Sequence, residues 1–135
     1  MKYIDKLPLE LLEIIFSFIP NHYKAFINKK YYTKFNYLIM VRIKNFNSYV
    51  RDLIRNDSLF PFTFLLNRNF NYWINSSKIE YSDHIYNNYY SYLLEYARKN
   101  NSNKCLDLLN VELQLSKLKK LNCKDYKYKK KSWIQ

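Results

Sequence analysis

Residues 7–19 read LPLELLEIIFSFI, and only Glu10, Glu13 and Ser17 interrupt the apolar run. Pro8 sits where a first-turn proline costs nothing, because its missing N–H would be unpaired there anyway. Glu10 follows in the first turn, where a negative charge suits the helix dipole. Pro20 stops the helix. The apolar positions fall into two sets: Leu7, Leu11, Ile14, Ile15 and Phe18, then Leu9, Leu12, Phe16 and Ile19. A helix packed on one side needs an apolar stripe of roughly 100°. This one is apolar over most of its circumference and is expected to pack on two sides. In so short a chain the second side falls to a partner.

Further helices follow along the chain. Asn21 caps a short one through Ile27. Another spans about Lys29 to Lys44, with Tyr31, Phe35, Leu38, Ile39 and Arg42 at helical spacing. Residues 48–56 are amphipathic, with Val50, Leu53 and Ile54 inward. Phe60-Pro61 starts a short helix through Leu66, residues 70–75 add Phe70, Tyr72, Trp73 and Ile74, and 76–82 form a loop. Ser82 or Asp83 caps the next helix, to about Lys99, with Ile85, Tyr89, Tyr92, Leu93 and Tyr96 on its inner face. Asn100-Asn101 turns the chain and Ser102 caps a last helix that holds Cys105, Leu106, Leu109, Leu115 and Leu118 and then frays. Period-two alternation is confined to a weak stretch near 78–81. The fold class is therefore all-α.

Composition narrows the chemistry. The 135 residues contain no glycine, so a Walker loop, a GxGxxG turn and a nucleophile elbow are all ruled out. Those motifs need backbone free of a Cβ. The net charge is +12. Half the excess lies in residues 111–135, which carry eight lysines against two acidic residues. Such a balance suits an acidic partner or nucleic acid; a solvated lysine-rich tail that keeps an aromatic protein soluble satisfies it equally. Cys105 and Cys123 form no CxxC pair, which fits a reducing, intracellular setting without a metal. The run at 7–19 is too short to span a bilayer and has no signal-peptide cleavage site.

The N-terminal residues resemble an F-box. Leu7-Pro8, Glu10, Leu11-Leu12, Ile14-Ile15 and Phe18-Ile19 match its opening, and Ile27-Asn28-Lys29-Lys30-Tyr31 with Leu38 match its closing element. Tyr31 replaces the usual Trp, and the stretch between Ile19 and Ile27 is about one helical turn short. The resemblance covers about a quarter of the chain. It implies a three-helix module that docks Leu7, Pro8, Leu11, Leu12, Ile15, Phe16 and Ile19 onto a Skp-family adaptor of cullin-RING ubiquitin ligases. The remaining chain would then hold a target protein. Abundant Asn, Lys, Tyr and Ile imply an AT-rich genome, such as that of a giant DNA virus or certain protists, and the chain resembles the short F-box-like proteins that giant DNA viruses encode. That source would place the chain in the host cell's cytoplasm or nucleus, or in a virion. The stretch YLLEYARKNNSNKCLDLLN is similar to one ankyrin repeat, but in a single copy without a T-P-L-H start, so it is read as a helical hairpin.

Catalysis has no visible constellation. Nothing in the sequence brings Cys105 to His84 or Cys123 to His22, and Glu10 and Glu13 belong on a solvated face. No cofactor, metal, membrane or small-molecule substrate is expected. Fifteen Tyr, nine Phe and two Trp need a role. Most lie at helical spacings that suit packing. The tail KDYKYKKKSW instead interleaves aromatic and basic residues, as single-strand nucleic-acid binding requires. The alternative function is thus a nucleic-acid-associated or virion structural protein acting through Lys117, Lys119, Lys120, Lys124, Lys127, Lys129, Lys130 and Lys131. The expected organisation is an F-box-like module at 1–44, a helical interaction region at 45–121 and a basic tail at 122–135.

Overall fold

The computed structural model describes the backbone of residues 6–132 and the side chains of residues 6–120. Helices dominate, with one small two-stranded sheet. The chain divides into two compact units, Met1–Phe46 and Asn47–Gln135.

The first unit holds α1 (Leu9–Phe18), α2 (Asn21–Lys24) and α3 (Lys29–Arg42). Pro8 and Pro20 occupy the N-cap positions of α1 and α2 in extended backbone. Neither offers a side-chain cap, and Asn21 falls inside α2, where its amide oxygen accepts from Lys24 Nζ. The expected cap at Asn21 is therefore replaced by Pro20, whose fixed φ suits the start of the turn. Asn28 is a true cap: its Oδ1 accepts the Tyr31 N–H at 2.9 Å. Along α3, Tyr32, Phe35, Asn36 and Ile39 are buried at helical spacing.

The second unit contains α4 (Phe46–Arg55), α5 (Leu59–Ile74), β1 (Ile79–Tyr81), β2 (His84–Tyr86), α6 (Tyr89–Lys99) and α7 (Asn103–Ser132). The two segments expected at 60–66 and 70–75 are one continuous helix. Pro61 lies in its first turn, where no helical bond is lost, and Leu65, Leu66 and Trp73 keep one face buried across Asn67–Asn69. The backbone of α7 stays helical to Ser132, past the point where fraying was expected.

The loop at 76–82 and the cap at Ser82 or Asp83 are also corrected. Ile79–Tyr81 and His84–Tyr86 pair antiparallel, with Tyr81 opposite His84. Ser82 and Asp83 form the two-residue turn, at φ 49° and 62°. Both values are positive, as a type I′ hairpin requires, although neither residue is glycine. The cap of α6 is Asn88 instead. Its Oδ1 accepts from the Ser91 N–H and Oγ, and its Nδ2 donates to Ile74 O at the end of α5. Ser76 Oγ accepts the Tyr89 N–H at 2.7 Å. The hairpin is thereby stitched between the end of one helix and the start of the next.

The turns joining α4 to α5 and α6 to α7 are copies of one another, 44 residues apart. Asp57 N–H bonds Ile54 O and Ser58 N–H bonds Leu53 O; Asn101 N–H bonds Arg98 O and Ser102 N–H bonds Ala97 O. Each pair is a Schellman termination. Asp57 (φ 49°) and Asn101 (φ 55°) fill its left-handed position. The second unit is thus two helix pairs of one design, joined by the hairpin. Three cross-links stack the second pair on the first. Ser102 Oγ donates to Ile54 O. Asp57 Oδ1 and Oδ2 accept the N–H groups of Cys105 and Lys104.

Matching positions show how the stack is polarised. Ile54 and Leu66 of the first pair are fully buried, as is Trp73 to within 1%. Their counterparts in the second pair are Arg98, Asn110 and Lys117, all exposed. Leu53 and Leu65, by contrast, correspond to the buried Ala97 and Leu109. The second pair keeps the residues that pack within it and replaces with polar ones those that would face a further pair. A polar outer face of this kind keeps the end of a stacked array in solution.

Candidate functional site

Three surfaces gather the residues with chemistry. The first is α1. Its two apolar sets separate cleanly in space, except for Leu9. Leu12, Phe16 and Ile19 are half-buried, and the Phe16 ring lies 5.7 Å from that of Tyr31 on α3. Leu7, Leu9, Leu11, Ile14, Ile15 and Phe18 are exposed, Leu9 at 68% and Phe18 at 81%. No residue of α1 is buried. Pro8 is exposed at the start of the same surface. Of the residues assigned to partner docking, Leu7, Pro8, Leu11 and Ile15 are open, while Leu12, Phe16 and Ile19 are turned inward and are available only at their edges.

The second surface is the basic face of α7. Lys117, Lys119 and Lys120 are exposed. The side chains of Lys124, Lys127, Lys129, Lys130 and Lys131 lie outside the described residues. Lys119 and Lys120 border an open groove of about 470 Å³ between α5 and α7. Phe70, Ile74 and Leu115 give it an apolar floor, and Asn67 and Asn71 line its other wall.

The third surface was not singled out in the sequence. A hollow of about 140 Å³ opens between the hairpin and α6, lined by Tyr81, Tyr86, Tyr92, Tyr96, Ser82, Lys99 and Asn100. The rings pack on one another: Tyr81 and Tyr86 lie 4.9 and 5.5 Å from Tyr92. Arg51 of α4 sits 5.7 Å over the Tyr81 ring. Arg55 Nη2 donates to the Tyr96 hydroxyl at 3.0 Å. Tyr92 forms the floor at 2% exposure, and its hydroxyl makes no hydrogen bond of ordinary geometry, with Arg51 and Tyr81 beside it. Burial pushes the Tyr92 phenol up to about 12, against the opposing pull of Arg51, so the group stays protonated at neutral pH. The tyrosines at 81–96 were visible in the sequence, where Tyr89 and Tyr92 read as packing residues. The hairpin that closes the hollow was not visible.

Of the residues considered for catalysis, the Cys123 side chain lies outside the described residues. Cys105 is fully buried. Burial first, and then Asp57, raise its thiol to about 12, which leaves almost no thiolate at neutral pH. Among the described residues no group of three His, Cys, Asp or Glu is placed to hold a metal ion. Glu10 and Glu13 are both exposed. No described helix is long and apolar enough to cross a membrane. No protein-family model matches the chain, and neither curated proteins nor solved structures supply a match.

Proposed function

We propose that the chain is a non-enzymatic, F-box-like interaction adaptor that docks α1 onto a Skp-family adaptor and so recruits a target to a cullin-RING ubiquitin ligase. On this reading it is a viral protein acting inside a host cell. The supporting observation is the exposure of the apolar face of α1. Burying a Leu, Ile or Phe side chain is worth roughly 1.5–3 kcal/mol, and this helix leaves five of them, with Leu7 before it a sixth, substantially in water. A patch of that kind is characteristic of a docking surface. The second unit supplies the target-holding part.

The test is retention of purified Skp-family adaptor by the full chain and by a Leu11→Ser/Ile15→Ser variant. Both residues are about half exposed, at 47% each, and an unchanged helical circular dichroism signal checks that the variant keeps its fold. Retention by wild type and loss in the variant supports docking. Equal retention by both, or none by wild type, overturns it.

The exposed lysines of α7 favour a second reading, a nucleic-acid-associated or virion structural role. Binding to a duplex would then weaken steeply with salt, with a log–log slope of about one per phosphate neutralised. Lys119→Glu/Lys120→Glu would flatten that slope, and an unchanged slope would remove this reading.

A further inference from the structure

We infer that the tyrosine-lined hollow between the hairpin and α6 recognises an acidic peptide segment, with one carboxylate held at Lys99 and a second at Arg55. The site uses α4, α6 and the hairpin and draws on no residue of α1. Loss of adaptor docking and loss of peptide binding are therefore separate results.

The hollow carries donors suited to an anion, the Lys99 ammonium and the tyrosine hydroxyls, beside Asn100, whose Nδ2 already donates to Tyr96 O. The Tyr96 hydroxyl accepts from Arg55, so its own proton is free to point outward. The Lys99 ammonium lies 4.0 Å from Glu95, whose other oxygen already takes Arg98 at 3.0 Å. Arg55 is bridged to Asp52 at 3.0 Å. These are helix-surface pairs between half-exposed groups, which contribute only about 0.3–0.5 kcal/mol. An incoming carboxylate displaces such partners at little cost. Arg51, stacked on Tyr81, adds a further cation at the edge.

The repeat sets the spacing. Arg55 and Lys99 occupy the same position in the two helix pairs, 44 residues apart, each about half exposed. Stacked helices lie about 8–10 Å apart. A polyproline II segment advances about 3.1 Å per residue and returns to the same face every third residue. Two carboxylates three positions apart on such a segment therefore share a face about 9 Å apart and reach both cations.

Charge separates this partner from a nucleic acid. Arg51, Arg55, Arg98 and Lys99 are offset by Asp52 and Glu95, and the hairpin adds exposed Glu80 and Asp83. A continuous phosphate backbone would run against these acids.

The experiment uses the full chain and three fluorescent probes: a short peptide with two glutamates three positions apart, its glutamine counterpart, and a single-stranded oligothymidylate. Anisotropy should show the glutamate peptide bound about tenfold more tightly than the glutamine one. Lys99→Glu and Tyr96→Phe should each weaken it severalfold, with helical circular dichroism unchanged. Should Lys99→Glu perturb that signal, Lys99→Gln replaces it. No binding of the glutamate peptide, equal binding of both peptides, or indifference to both variants overturns the proposal. Tighter binding of oligothymidylate that is lost in Lys99→Glu also overturns it, in favour of a nucleic-acid site.

Discussion

Asp57 Oδ1 accepts the backbone N–H of Cys105 at 2.9 Å, across 48 residues of sequence. Asp57 Oδ2 accepts the next N–H back, that of Lys104, at 3.2 Å. One carboxylate thus satisfies two unpaired donors at the start of α7 from a turn in the preceding helix pair. A negative charge there also meets the positive end of the helix dipole. Asp57→Ala should therefore cost about 1 kcal/mol in a urea titration, the value of an ordinary N-cap.

Acid should erase the same contribution. Partial burial pushes the Asp57 carboxyl up, but the N–H groups of Cys105 and Lys104 outweigh it and hold the group below its usual value. A carboxyl with a depressed folded-state pKa contributes stability above its unfolded pKa and loses it as pH falls through the folded one. The stability gap between wild type and Asp57→Asn should be full at neutral pH and shrink below about pH 4. A gap that stays constant through that range would show that the carboxylate charge is irrelevant.

The buried Tyr90 hydroxyl donates to Leu109 O at 2.6 Å and ties α6 to α7. Tyr90→Phe keeps the ring and its edge contact with Phe70. It leaves a buried carbonyl with one partner fewer. The expected loss is about 1 kcal/mol, read from the denaturation midpoint with an unchanged slope.

Cys105 should resist modification. In a Cys123→Ser background, a thiol reagent at neutral pH should react with Cys105 only at the rate of local or global opening. Added denaturant should accelerate the reaction sharply. Immediate labelling of the folded chain would contradict the burial of this thiol.

The polar end of the stack predicts a gain of association. Arg98→Ile/Asn110→Leu restores the residue types found at Ile54 and Leu66. Sedimentation should show concentration-dependent self-association beyond that of wild type, because the outer face then matches a surface that is buried elsewhere in the same fold.

Much of the helical framework was legible in the sequence. The all-α class follows from Leu, Ile and Phe at helical spacing. Helices α3 and α4 lie close to where their apolar periodicity puts them, whereas α6 ends at Lys99 as expected but starts only at Tyr89, and Ile85, expected on its inner face, is exposed in β2. The division of α1 into two apolar sets was also readable: Leu12, Phe16 and Ile19 are half-buried, and the other set is exposed. The hairpin was hidden because its strands are three residues each and its turn, Ser82-Asp83, lacks the glycine that signals a type I′ turn. The break expected near Asn67–Asn69 failed because tertiary burial of Leu65, Leu66 and Trp73 overrides weak local propensity. The repeat was hidden for a different reason. Only a few positions, such as Ser58 and Ser102 or Leu65 and Leu109, keep their chemistry in both copies. The positions facing the next layer change from Ile54, Leu66 and Trp73 to Arg98, Asn110 and Lys117. The tyrosine hollow depends on the hairpin and was lost with it.

The absence of glycine has an effect on how the helix pairs are joined. At the left-handed corner of each turn a glycine would relax the backbone, yet it has no side chain to reach across to the neighbouring layer. Asp57 tolerates the awkward corner and also reaches across. Exchanging it for the residue that backbone geometry prefers would ease one bend while unfastening two layers, so this corner is a place where consensus-style stabilisation should backfire.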